Sequence, residues 1–215
     1  GRLRFDDTLA LREEWKSLPG GTMQDEPNGA EHPLSHYANK MISISDNTAT
    51  DHLIHTLGRE RVEVAMSRWC AEPDRNIPFM TTRDLFVLTL NSDASLPERY
   101  LEADAPSRRA LLEGEVAQGS PNLAMASFWI APRMIATLEW FASAEELCRT
   151  ISDLARLGSS DESMEPVMTA LSINPGVSLN REVWAGFAYK GGSEPGVMNM
   201  TYWLLREDGE RFALS

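Results

Sequence analysis

Apolar positions along the first third of the chain recur at two spacings, and each spacing predicts a different element. Leu3, Phe5, Leu9 and Leu11 alternate or nearly so, the period of a short extended segment. Leu18-Pro-Gly-Gly21 and Glu26-Pro-Asn-Gly29 read as turns or loops. From Leu34 the period lengthens: Leu34, Tyr37, Ala38 and Met41 recur at three and four, one face of a helix. A second helical face follows in Ala49, Leu53, Ile54 and Leu57, with Gly58 as its stop. Val62, Val64 and Ala65 through Trp69 predict a third, short helix, and Glu72–Pro78 a loop. Thr81 or Thr82 then caps a helix over Asp84–Leu90, with an acidic residue in its first turn to meet the helix dipole.

Ser107–Gln118 repeats the helical pattern and ends near Gly119. Met125–Trp140 is apolar but interrupted by Pro132, so part of it is expected to be extended. Ser143-Ala-Glu-Glu146 is a capping box opening a helix to Leu157. Glu165–Leu171 predicts a further helical turn or two, closed by Asn174-Pro-Gly176. The last forty residues change character. Glu182–Tyr189 is aromatic and small, Val197–Leu205 carries Val, Met, Thr, Tyr and Trp, and Asp208-Gly209 is a hairpin signal. The prediction is strand, a corner at Lys190-Gly-Gly192, strand, Asp-Gly turn, strand. Antiparallel strands after a helical block indicate an α+β fold. One domain is expected over residues 1–215, with 1–181 a mostly helical lobe and 182–215 an antiparallel sheet.

Composition narrows the function. The chain has 215 residues, 42% hydrophobic and 24% charged, an ordinary globular balance. A net charge of −12 argues against nucleic acid, whose phosphates need clustered Lys and Arg. Cys70 and Cys148 permit one disulfide without implying it; two buried free thiols are the plainer reading. No apolar run approaches membrane-spanning length. The spacings His32/His36 and His52/His55 suit a metal, but no adjacent motif supports one. Surface histidines, no metal and no cofactor are the expectation.

The residues with most chemical content are Ser45-Asp46-Asn47, set between two helical patterns, and Lys190-Gly-Gly-Ser193, set among strands. Alone, the first is a helix cap and the second a glycine-rich turn with an exposed lysine. Together and in this order they resemble the S-D-N and K-T-G motifs of the class A β-lactamase and penicillin-binding superfamily. Met80-Thr-Thr-Arg-Asp-Leu85 resembles the helix start after that family's omega loop, and Tyr189–Leu205 the strand pair around K-T-G. Trp140-Phe-Ala-Ser143 and Lys190–Gly196 suggest a divergent branch, similar to the β-lactamase-like serine hydrolases related to a clavulanic-acid cluster protein.

The resemblance implies roles. Ser45 would relay a proton between a catalytic lysine and the leaving group, and Asn47 would bond a substrate amide. Asp46 would hold the loop by accepting backbone N–H bonds. Lys190 would bond the Ser45 hydroxyl and attract a substrate carboxylate. Ser193, following Gly192, would lend its N–H to an oxyanion hole. The substrate would be a small β-lactam, ester or peptidoglycan-like amide, and the family's usual compartment is periplasmic or secreted.

Three departures qualify this. The family's S-x-x-K is absent: three residues before Lys16, Lys40 and Lys190 stand Glu13, Tyr37 and Phe187. The nucleophile is expected upstream of Gly1 and the family's closing helix beyond Ser215, which would leave this chain inactive by itself. Gly191 replaces the K-T-G threonine. Between Trp69 and Met80, Glu72 lacks the Leu-Asn that follows the family's deacylating glutamate. An esterase, a slow acyl enzyme or a penicillin-binding role is expected before a resistance enzyme. The alternative is a non-catalytic ligand-binding module of the same fold.

Overall fold

The computed structural model describes residues 2–17, 20–91, 93, 95–122, 124 and 129–215. Leu18 and Pro19 of the first turn signal, and Met125–Phe128 of the interrupted apolar run, lie outside them. The extended N-terminal segment is a strand, β1 (Thr8–Ala10), paired antiparallel with β2 (Glu31–Pro33). β2 leads directly into α1 (Leu34–Ser43), and α2 (Asn47–Leu57) follows after three residues. Gly58, at φ +86°, ends α2 and opens α3 (Arg59–Met66).

The predicted loop 72–78 contains one 3₁₀ turn, Pro73–Asn76. Helix α4 (Thr82–Thr89) starts at Thr81, whose hydroxyl accepts from Asp84 N while the Asp84 carboxylate accepts from Thr81 N. A helix not predicted, α5 (Ser95–Glu102), buries Leu96 and Tyr100 on one side. α6 (Ala105–Leu111) continues into a π-helical turn, Leu112–Val116. α7 (Ala144–Gly158) carries the reciprocal Ser143–Glu146 capping box, and α8 (Glu165–Ser172) follows.

The C-terminal sheet is a meander of β3 (Trp184–Glu194), β4 (Val197–Arg206) and β5 (Arg211–Leu214) in the order β3-β4-β5. The position of its first corner corrects the sequence reading. Lys190 pairs with Thr201 and Gly192 with Asn199, inside the ladder; the chain turns at Pro195-Gly196. Gly196 takes φ +95°, whereas Gly191 and Gly192 keep negative or extended values. A proline that pre-sets its φ, followed by a glycine free to take positive φ, is better turn chemistry than Gly-Gly.

Among the described residues, one apolar cluster surrounds α4: Leu85, Val87 and Leu88 meet Leu96, Tyr100, Leu112 and Leu138. A second joins the N-terminal segment to α1 and α2 through Leu11, Met23, Tyr37 and Ala49. A third lays Ile151 of α7 and Leu171 of α8 on Ala188 of β3, with Ile42 of α1 and Trp203 of β4 at its edge. α1 thus bridges the helices to the sheet, so its C-terminal end faces the middle of β3. The fold is α+β. No described helix is long and apolar enough to cross a membrane.

Candidate active site

Ser45 sits at the corner between α1 and α2 with φ +54°, the left-handed region that costs a residue with a Cβ about 1–2 kcal/mol. The corner persists because its neighbour is over-determined. Asp46 is fully buried. Its Oδ2 accepts from Thr22 N at 2.6 Å and Met23 N at 2.9 Å, and its Oδ1 accepts from Ala49 N at 2.9 Å, capping α2. Asp46 N in turn donates to Lys40 O. The segment feeding those amides passes very close. A Cβ on Gly21 would lie 2.2 Å from Asp46 Oδ2, and Gly21 has φ +91°, so only glycine fits.

α2 is tied to α4 by a second buried carboxylate. Asp51 accepts from Thr82 N at 2.7 Å, Thr82 Oγ1 at 2.9 Å and Arg83 N at 2.9 Å. Burial raises its pKa to about 7 against the pull of these bonds. His52, on the same helix, corrects the surface reading. It has no exposed surface, and its Nδ1 meets Thr48 O at 2.7 Å while its Nε2 accepts from Arg12 N at 2.9 Å. That pattern defines the neutral Nδ1–H tautomer. His55 stacks on Trp15 at 4.8 Å. Burial lowers the pKa of both imidazoles.

Across from this corner stands β3. Lys190 reaches over from the strand and donates to Ser45 Oγ at 2.6 Å, joining positions 145 residues apart; it also contacts Gly191 O. Burial lowers the Lys190 pKa. Ser45, Asn47, Lys190, Gly192 and Ser193 all line one open cleft with about 1500 Å³ of water-accessible space. The structure brings them together from two elements, with Asp46 behind them and outside the cleft wall. A hydroxyl and an amine at 2.6 Å provide a proton path, and a lysine at the cleft wall provides positive potential in an otherwise acidic chain.

Two acidic groups in the cleft escaped the sequence reading. Glu139 and Glu194 both line it. Burial first, then the Glu194 charge, raises Glu139 to about 7; Glu194 is raised by burial. Burial and mutual repulsion both favour a proton held within the pair. Their sequence signals were adjacency alone: Glu139 precedes Trp140-Phe-Ala-Ser143 and Glu194 follows Lys190-Gly-Gly-Ser193. Asn76 steadies that side. Its Nδ2 donates to Phe141 O at 2.8 Å and its Oδ1 accepts from Phe141 N at 2.7 Å. Glu72 also borders the cleft. Cys70 and Cys148 are free and half-buried.

Residues 1–99 match the sequence profile of the Beta-lactamase enzyme family. No curated protein sequence matches the chain. Among solved structures it is similar to the β-lactamase of Sphaerobacter thermophilus, with TM-score 0.59, 18% identity, and coverage of 98% of this chain and 63% of that one. PBP-A, described as an acyl-enzyme complex with penicillin G, aligns with TM-score 0.53 and 14% identity over 99% of this chain and 62% of that one. A chromosome-encoded β-lactamase of Vibrio parahaemolyticus gives TM-score 0.55 and 13% identity over 97% and 65%. The chain therefore spans less than two thirds of the length of these three structures. It has the serine β-lactamase and penicillin-binding fold, and its first 99 residues carry that enzyme family's sequence pattern.

Proposed function

We propose that the protein is a serine hydrolase of the β-lactamase and penicillin-binding type, acting through an acyl-serine on a small β-lactam, ester or peptidoglycan-like amide. The observation that carries this reading is the 2.6 Å contact of Lys190 Nζ with Ser45 Oγ across the cleft. In it, Ser45 relays the proton that reaches the leaving group, and Lys190 holds Ser45 and the substrate carboxylate. Asn47 bonds the substrate amide, and the Ser193 N–H, reached past Gly192, faces the developing oxyanion. Asp46 keeps the corner in place.

The attacking serine is not among these residues, because the sequence contains no Ser-x-x-Lys. Pockets for single small ligands run to roughly 300–1000 Å³. This one holds about 1500 Å³ and is flanked by Ile42, Ile54, Leu85 and Phe86, ample room for a ligand of the proposed class. By this reading the 215-residue chain binds such ligands without turning them over, so its own activity is that of a binding module.

A chromogenic cephalosporin and a chromogenic ester test the reading directly. The 215-residue chain should hydrolyse neither above background, and benzylpenicillin binding, followed by calorimetry, should weaken about tenfold in Lys190→Met through loss of one charge-assisted bond. Hydrolysis abolished by Ser45→Ala would make Ser45 a nucleophile and overturn the assignment of roles.

A further inference from the structure

Three side chains outside the cleft lining converge: Glu26, His32 and His36. One ligand atom from each lies within 4.8 Å of the other two, the one such group of histidines and acids among the described residues. They come from three separately fixed elements. Glu26 ends the 3₁₀ turn Met23–Asp25, and its carbonyl accepts from Lys16 Nζ at 2.8 Å. His32 is the middle residue of β2, in register with Leu9. His36 lies in the first turn of α1, whose start is pinned by bonds from Leu34 N to Asp7 O and Ser35 N to Phe5 O. His32 Nε2 meets Glu26 Oε2 at 2.6 Å, and the two imidazoles stack 4.4 Å apart. His36 Nε2 is buried and has no hydrogen-bond partner. A buried ring nitrogen beside a carboxylate and a second imidazole needs an explanation, since such atoms are rarely left unpaired.

We propose that Glu26, His32 and His36 form a divalent-metal site suited to Zn²⁺. Two imidazoles and one carboxylate are a donor set zinc accepts, with water completing the coordination. Ligands on one tetrahedral zinc stand about 3.3 Å apart, so the group closes by a side-chain adjustment. A metal lies in the plane of each imidazole it binds, so the rings, now 15° from parallel, turn toward each other on loading. Metal entry replaces the hydrogen bond between His32 Nε2 and Glu26 Oε2, and the neutral imidazole that binds the ion carries its hydrogen on the other ring nitrogen. The ion would tie the Thr22–Glu26 segment to α1, the same segment whose amides bond Asp46.

Titration of the 215-residue chain with Zn²⁺ by calorimetry should give one saturable site and a rise in Tm. Co²⁺ in its place should give the visible bands of a four-coordinate ion. Glu26→Gln and His36→Ala should each weaken Zn²⁺ binding about tenfold or more. Glu26→Gln is nearly isosteric and serves if His36→Ala fails to fold, as judged by circular dichroism. Absence of saturable one-to-one binding, or equal affinity in the folded variants, overturns the site.

A second inference rests on the proposed function and on a different observation. A Cβ built on Gly191 would lie 2.1 Å from Tyr189 Oη, so the tyrosine hydroxyl occupies the space a side chain at 191 would need. Tyr189 and Gly191 share a face of β3, and both line the cleft. The Tyr189 ring is set by packing on Tyr202 at 4.6 Å, and Tyr202 is itself fixed by its bond to Pro175 O at 2.8 Å. We infer that the Tyr189 hydroxyl serves as the carboxylate donor that a threonine at 191 would supply. Calorimetry with benzylpenicillin and its methyl ester distinguishes the outcomes. Tyr189→Phe should lose about tenfold for the free acid and little for the ester. If Lys190→Met weakens binding of the acid and Tyr189→Phe does not, this inference falls alone. If the wild-type chain binds neither compound, the functional reading falls and takes it along.

Discussion

Ser45 and Lys190 touch, yet the two walls that carry them are held by different means. Ser45 rests on a buried carboxylate that gathers three backbone amides from two segments, with a glycine pressed against it. Lys190 rests on a regular β-ladder, and although Tyr189 crowds Gly191, a Cβ on Gly192, two residues on, would meet nothing within 4 Å. The first wall forces a residue into a left-handed backbone and compensates with hydrogen bonds. The second needs no compensation, because an extended strand already aims alternate side chains to one side. The same contact is thus reached through local strain on one side and through periodicity on the other, and the two sides should answer differently to mutation.

Asp46→Ala should be the most damaging change. It strands three amides that are bonded to a buried charge, a loss of roughly 3–5 kcal/mol in urea unfolding. A loss below that of an ordinary surface change would mean the corner is not held as described. Asp51→Asn comes next, at about 2 kcal/mol, because its amide nitrogen must face an N–H donor. It also carries a pH signature. Burial holds Asp51 at about 7, above its ordinary 3.8. The folded chain therefore keeps a proton that the unfolded chain releases between those values, and stability falls as pH rises through that window. Asp51→Asn should flatten that slope; an unchanged slope would assign it to other groups, Glu139 first.

Ser45→Gly should act in the opposite sense, stabilising the chain by about 1 kcal/mol through relief of the left-handed backbone, while removing the hydroxyl that meets Lys190. Gly192→Ala, on the other wall, should shift stability by less than about 0.5 kcal/mol. Equal responses from these two positions would erase the contrast between the walls.

The sequence exposed the parts of this architecture that are encoded locally. The periods around Leu34–Met41 and Ala49–Leu57 located α1 and α2, and Ser143–Glu146 located α7, because spacing and caps act within a few residues. α5 escaped because only Leu96 and Tyr100 mark its face, and Pro97 in its first turn reads as a breaker although a helix tolerates it there. Paired glycines point to a corner at Lys190-Gly-Gly192, but the turn falls at Pro195-Gly196, where proline pre-sets φ. Long-range pairings left no local trace. Asp51 meets Thr82 and Arg83 from 31 and 32 residues away, His52 is bonded by Arg12 from 40, and Glu139 meets Glu194 from a separate stretch of the chain. Ser45 and Lys190 were paired in advance only through resemblance to a family whose motifs keep that order.

The carboxylate of Asp46 also fixes how this region opens. Thr22, Met23 and Ala49 belong to different segments, but their amide hydrogens share one acceptor group. In deuterated solvent they should show a common protection factor, set by a single opening event rather than by fraying of either segment. A shared value would make the corner one opening unit, with Ser45 held in its left-handed geometry for as long as that unit stays closed.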